Sequence, residues 1–187
     1  MPDLLHRAFP WIPGIPDPEP GGVLFVPRSD QGFGRHDSPD RYGTVYLSRT
    51  QVSAAAEVLR MLRIPELRND DLRIEGAVIA LAAFDGPAGD ELVDLDDPRT
   101  LVTRDLRPSA VATGNRELTQ EIAAAIFDEG HIGFEWWSTI ESSWINVTLF
   151  AERAISSMRL AGDPEVLTVD HPALRDASEV VGVKLAP

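Results

Sequence analysis

The chain contains no cysteine. That removes disulfide frameworks, thiolate nucleophiles, zinc ribbons and cysteine-bound iron–sulfur clusters together. Positive charge is scarce: 17 Lys and Arg stand against 30 Asp and Glu, a formal charge of −13. The basic residues are dispersed, with no run longer than two. A protein that coats a duplex needs a concentrated basic face, so direct binding to nucleic acid or an anionic membrane is not expected. No apolar stretch approaches the roughly 18–20 residues that cross a bilayer. The opening Met1-Pro2-Asp3-Leu4-Leu5-His6-Arg7 lacks the basic-then-apolar layout of a secretion signal. A soluble cytoplasmic protein is the expectation.

What is present suits one domain. The 187 residues are 43% hydrophobic, and a chain of this size buries roughly 70% of the surface it exposes when unfolded. Proline crowds the start, at positions 2, 10, 13, 16, 18 and 20. Because proline fixes φ and lacks an N–H, residues 1–21 are expected to be an extended arm draped on the surface, neither helix nor central strand. The folded domain is then expected over 22–187.

Within it, apolar runs with β-formers predict strands at 23–26, 44–47 and 74–84, with a weaker one at 91–95. Gly, Asp, Ser and Pro make 28–43 a loop, and 100–115 reads mostly as loop. Val52, Ala55, Ala56, Leu59 and Leu62 recur at helical spacing and predict a helix from Gln51 to Arg63, capped by Ser48 or Thr50. Leu118, Ile122, Ala125 and Ile126 predict a second from Arg116 to Glu129, capped by Thr113 or Asn115. Strands at 132–137 and 144–150, a short helix from Ala151, and strands near 166–169 and 179–184 complete the reading. Strands and helices do not alternate regularly, so the pattern is α+β in a single domain, not a doubly wound sheet.

Several common sites are missing. Gly32-Phe33-Gly34 lacks the lysine and following helix of a phosphate loop. There is no Gly-x-Ser-x-Gly elbow. His6, His36, His131 and His171 are scattered, and His131 and Glu135 are four residues apart across Gly133 and an expected strand, so no metal site is expected.

What remains is a spaced set of polar residues: Arg28, Arg35, Tyr46, Glu57, Ser138 and Asn146. Each has an ordinary structural reading. Glu57 lies almost opposite the apolar stripe of its helix, a solvated position, although Ala54 and Met61 beside it are apolar. Tyr46 suits a strand core. The arginines suit surface ion pairs, and Ser138 suits a turn.

Order and spacing add a second reading. Arg35, Tyr46 eleven residues on in Tyr-Gly-Thr-Val-Tyr-Leu-Ser, and Glu57 eleven further in Ala-Ala-Ala-Glu-Val-Leu resemble the signature of RES-domain proteins. So do the Thr-Gln-Glu-Ile-Ala helix, Gly133-Phe134-Glu135-Trp136-Trp137-Ser138, and Asn146-Val-Thr-Leu-Phe. The resemblance spans about residues 22–152. It implies a fold like that of ADP-ribosyltransferases, with mixed β-sheets and flanking helices. It implies a toxin of a bacterial toxin–antitoxin pair that consumes NAD+ as substrate, with no prosthetic group, by hydrolysis or phosphorolysis of the nicotinamide–ribose bond. ADP-ribosyl transfer to a protein or small molecule, or a non-catalytic binding module, are the alternatives. Carried over by position, Glu57, Arg35 and Ser138 are the catalytic candidates, and Arg28, Arg35, Tyr46 and Ser138 the NAD+-binding ones. A helix-turn-helix antitoxin is the implied partner. Whether the chain self-associates is left open.

Overall fold

The computed structural model describes residues 4–87 and 91–186. In chain order the elements are β1 (Leu5–Trp11), β2 (Thr44–Ser48), α1 (Gln51–Leu62), β3 (Glu66–Leu67), β4 (Arg73–Ile74), β5 (Ala77–Asp85) and β6 (Val93–Asp94). Then come α2 (Pro98–Thr103), α3 (Pro108–Val111), α4 (Arg116–Asp128), β7 (Gly133–Trp137), β8 (Ile145–Phe150) and α5 (Ala151–Ala154). β9 (Arg159–Leu160), β10 (Glu165–Val166), α6 (Pro172–Val181) and β11 (Lys184–Leu185) finish the chain. The main sheet runs β10-β5-β1-β2-β8-β7-β6, with β4 and β9 also on β5. Every pairing in it is antiparallel except β6 with β7, so the sheet is mixed and the class is α+β. No helix among the described residues is long and apolar enough to cross a membrane.

Three apolar clusters hold the layers. One face of the sheet packs under α1 and α6 through Ala55, Ala56, Leu59, Ile79, Leu174 and Ala177. Alanine on α1 lets α6 approach closely. The opposite face gathers Leu5, Phe9, Val45, Leu47, Val147 and Leu149. The third cluster seats α4 on β7 through Ile122, Ile126, Phe134 and Phe150. The two long helices start as their caps predict: Thr50 accepts from Ser53 N at 3.1 Å and Asn115 from Leu118 N at 3.3 Å.

The N-terminal stretch overturns its expectation. Leu5 to Trp11 is no surface arm but an inner strand, in register with β5 from Leu5↔Phe84 to Trp11↔Val78. Its pairing to β2 is confined to His6↔Ser48. Beyond that pair the second edge of β1 is open, and there Pro10 costs no ladder bond.

The strand expected at 23–26 does not form. Arg7 Nη1 donates to the carbonyls of Val23 and Phe25, both at 3.3 Å, and Leu24 N donates to Asp17 Oδ1 at 2.6 Å. Side chains thus satisfy backbone groups that a ladder would otherwise claim.

The loop expected over 100–115 contains most of α2 and all of α3, each with proline in its first turn. The strand expected near 179–184 is instead the end of α6, a turn at Gly182, and the first residue of the two-residue β11. Proline at the start of α6 and the His171 side chain, which accepts from Ala173 N at 3.2 Å, define that helix.

Candidate active site in the gap between two strands

Where β1 and β2 part after His6↔Ser48, both line one cavity of about 870 Å3. That lies within the roughly 300–1,000 Å3 of small-molecule sites. Its other walls are the 31–35 loop, one face of α1, the 113–116 segment, and Trp136, Thr139 and Asn146. Among its lining residues are five arginines (Arg7, Arg35, Arg60, Arg63 and Arg116) and one carboxylate, Glu57. In a chain of charge −13, this is a local reversal of sign. None of the five has an acidic partner within ion-pair distance among the described residues, whereas Arg28, Arg41, Arg49, Arg68, Arg104 and Arg175 each do.

Glu57 is half-buried. Residues Ala54, Glu57, Val58 and Met61 of α1 all face the cavity. They follow the i, i+3, i+4, i+7 spacing of a second helix face, distinct from the one packed on α6. Periodicity alone assigns that face to solvent; the gap between β1 and β2 lies there instead. Glu57 Oε1 accepts from Asn146 Nδ2 at 3.1 Å and from Ser138 Oγ at 3.4 Å. Asn146 Oδ1 in turn accepts the hydroxyls of Ser48 at 2.7 Å and Ser53 at 2.9 Å, which fixes the amide's orientation. Ser138 is 1% exposed and its Oγ also accepts from Ile140 N at 3.1 Å. It therefore stands behind Glu57 and orients it, rather than lining the cavity.

Arg35 reaches the same cavity from the opposite wall. Its guanidinium lies 5.2 Å from the Trp136 ring centroid and donates to the carbonyls of Thr113 and Val111. Burial, then the nearby Arg60 guanidinium, lowers its proton affinity, while Glu57 opposes the shift. The loop that presents it is not a free lid. Asp37 Oδ2 accepts from Gly32 N at 2.9 Å and Gly34 N at 2.7 Å. Gln120 Nε2 donates to the carbonyls of Gly32 at 3.2 Å and Gly34 at 3.0 Å. The Gln31 amide pairs both ways with the Thr44 backbone, at 2.6 and 2.8 Å. A Cβ on Gly34 would sit 2.5 Å from Asp37 Oδ1 and 2.6 Å from the Tyr46 hydroxyl, so only glycine permits this closure.

Tyr46 lines the cavity with its ring, but its hydroxyl is spoken for. It donates to Asp37 Oδ1 at 2.7 Å and accepts from His36 N at 2.9 Å. Burial, with Asp37 beside it, holds the phenol well above the ordinary tyrosine range. His36 beneath the loop is 3% exposed, pairs with Thr148 Oγ1 at 2.9 Å and packs edge-on to Phe134 and Trp136. Burial, helped by Arg35, pushes its proton affinity well below normal.

Arg28 does not join this group. Its Nε donates to Pro39 O at 2.6 Å and its Nη1 to Glu152 Oε1 at 2.8 Å. Glu152 also accepts from Gly43 N at 3.0 Å, so Arg28 braces the base of the loop outside the cavity. Sequence reasoning missed Asp37, Gln120, Arg60 and Thr139. Asn146, a residue depleted in strands yet set in an apolar one, carried the clearest signal.

The chain matches the RES domain over residues 6–170 and belongs to that family. Its fold resembles a chain of the M. tuberculosis MbcT–MbcA toxin–antitoxin complex, with a TM-score of 0.65 at 16% identity. The match covers 97% of this chain and 90% of that one. No curated protein sequence matches it.

Proposed function

We propose that the chain cleaves the nicotinamide–ribose bond of NAD+ in the β1–β2 cavity, as the toxin of a toxin–antitoxin pair in the cytoplasm. The observation that carries this reading is the convergence of Glu57 and Arg35 on one cavity where, among the described residues, Glu57 is the one lining carboxylate and the lining arginines have no acid partner within ion-pair distance. A dinucleotide has that profile: a diphosphate for the guanidiniums and a ribose that becomes cationic for the carboxylate.

The C1′–N bond breaks with its electron pair leaving on nicotinamide, which departs neutral and needs no general acid. The ribose left behind is oxocarbenium-like. Glu57, held by Asn146 and Ser138, stabilises that charge. Water or phosphate then forms the new C1′–O bond, and water's proton goes to solvent. Because the leaving group is neutral, the reaction asks no prosthetic group of the protein. Tyr46 and Trp136 offer ring walls to nicotinamide. Loss of NAD+ harms the host, so a neutralising antitoxin is the expected partner. The resemblance to a chain of a toxin–antitoxin complex supports that pairing.

The test is nicotinamide release from NAD+ by purified protein, with and without phosphate. Release is expected in at least one condition, and Glu57→Gln should lower it by about 100-fold or more, the scale of losing one preorganised electrostatic group. Release in neither condition overturns the reading. Adenylate-derived label retained on protein would move it to ADP-ribosyl transfer.

A further inference from the structure

Arg60 and Arg35 come from different elements yet meet on one hydroxyl. Arg60 Nη1 donates to Thr139 Oγ1 at 2.5 Å, and Arg35 Nη2 to the same atom at 3.5 Å. Both lone pairs of that oxygen are then engaged, and its single proton is left to donate toward an acceptor. Like charges brought this close repel, and Arg116 adds to the repulsion felt at Arg35. Arg60 is exposed and, among the described residues, has no acidic partner. A cluster of this kind gains most from an anion that bridges its members.

Its position relative to Glu57 narrows the anion. Glu57 and Arg60 are three residues apart on α1 and both line the cavity. Such neighbours have Cβ atoms about 5–6 Å apart, comparable with the span from a ribose anomeric carbon to the phosphorus on its own 5′ oxygen. A carboxylate at the ribose therefore puts this guanidinium at the phosphates. One phosphate occupies one guanidinium fork; a diphosphate engages two.

We propose that Arg60, Arg35 and Thr139 form a diphosphate subsite, so that the cavity selects diphosphate-linked ribosides over mononucleotides. The proposal rests on the NAD+ reading and names residues and a selectivity that reading leaves open. ADP-ribose, which keeps the diphosphate after nicotinamide has gone, then binds the same subsite and competes with NAD+.

Equilibrium titration of ADP-ribose and of AMP tests it, using the full chain and the variants Arg60→Ala, Arg60→Lys and Thr139→Val. Arg175→Ala, in an exposed ion pair with Asp170 on the chain's last helix, is the control. Arg60→Ala should weaken ADP-ribose by about tenfold or more, as expected for a lost charge-assisted contact, and AMP by much less. Arg60→Lys should recover part of the loss, Thr139→Val should weaken ADP-ribose severalfold, and Arg175→Ala should change nothing. Equal affinity of wild type and Arg60→Ala for ADP-ribose overturns the subsite, as does failure of the wild type to bind ADP-ribose. Neither titration requires turnover. Arg60-dependent ADP-ribose binding without nicotinamide release would therefore sink the catalytic reading and leave the subsite standing. Nicotinamide release with an unchanged KM in Arg60→Ala would do the reverse.

Discussion

Asn146 donates its Nδ2 hydrogen to Glu57 Oε1 at 3.1 Å, while its Oδ1 receives Ser48 and Ser53. The strand thereby sets the direction of a carboxylate that sits on a helix. Asn146→Ala leaves two buried hydroxyls unpaired and should lower unfolding free energy by about 1–3 kcal/mol. It should also slow nicotinamide release by about 10–100-fold, the scale of a misaligned reacting group. Urea denaturation and steady-state kinetics on the same preparation check both.

Asp37 organises the arginine loop without touching the cavity. Its two oxygens accept from Gly32 N, Gly34 N and the Tyr46 hydroxyl. Asparagine has one acceptor oxygen and turns an amide N–H toward donors. Asp37→Asn should cost about 1–3 kcal/mol of stability. Because Arg35 is displaced while Glu57 is not, KM for NAD+ should rise more than kcat falls. A kcat loss with KM unchanged would contradict this role.

His36 makes stability depend on pH with a definite sign. Its folded-state proton affinity lies well below that of an ordinary histidine, whose pKa is 6.5, chiefly through burial. The unfolded chain therefore binds the proton more readily. Its contribution is full above about pH 6.5 and is lost as pH falls below that value. Thermal melts from pH 7.5 to 5 should show Tm falling more steeply for the wild type than for His36→Gln, where that titration is absent. Parallel curves would contradict the assignment.

Arg28 provides the opposite case. Its partly exposed pair with Glu152 and its bond to Pro39 O lie outside the cavity. Arg28→Ala should cost about 0–1 kcal/mol, as exposed pairs do, and leave the KM for NAD+ unchanged. A raised KM would return Arg28 to the NAD+-binding residues.

The parts of this fold that local chemistry dictates were legible in the sequence. Helices α1 and α4 follow their apolar stripes and caps, and β7 and β8 follow their apolar runs. The parts set by distant partners were not. Nothing near Pro10 announces that β1 loses its β2 neighbour after a single pair, so proline looks like a veto on an inner strand. Val23 to Val26 has strand chemistry, but Arg7 takes its carbonyls first.

At the site, the spacing of Arg35, Tyr46 and Glu57 led to residues that share a cavity. Roles within that cavity needed coordinates. Tyr46 spends its hydroxyl on Asp37, Ser138 backs Glu57, and Arg28 finds a carboxylate 124 residues away. Glu57 itself was hidden because α1 has two buried-side neighbours, a helix and a cavity, and one stripe of alanine and leucine reports only the first.

A crystal structure of Glu57→Gln with NAD+ bound tests most directly whether Glu57 and Arg35 share one dinucleotide. The nicotinamide ribose is expected within hydrogen-bond distance of residue 57 and the diphosphate on Arg35 in the gap between β1 and β2. NAD+ bound elsewhere on the molecule, or lying in the gap with its diphosphate turned away from Arg35, would contradict it.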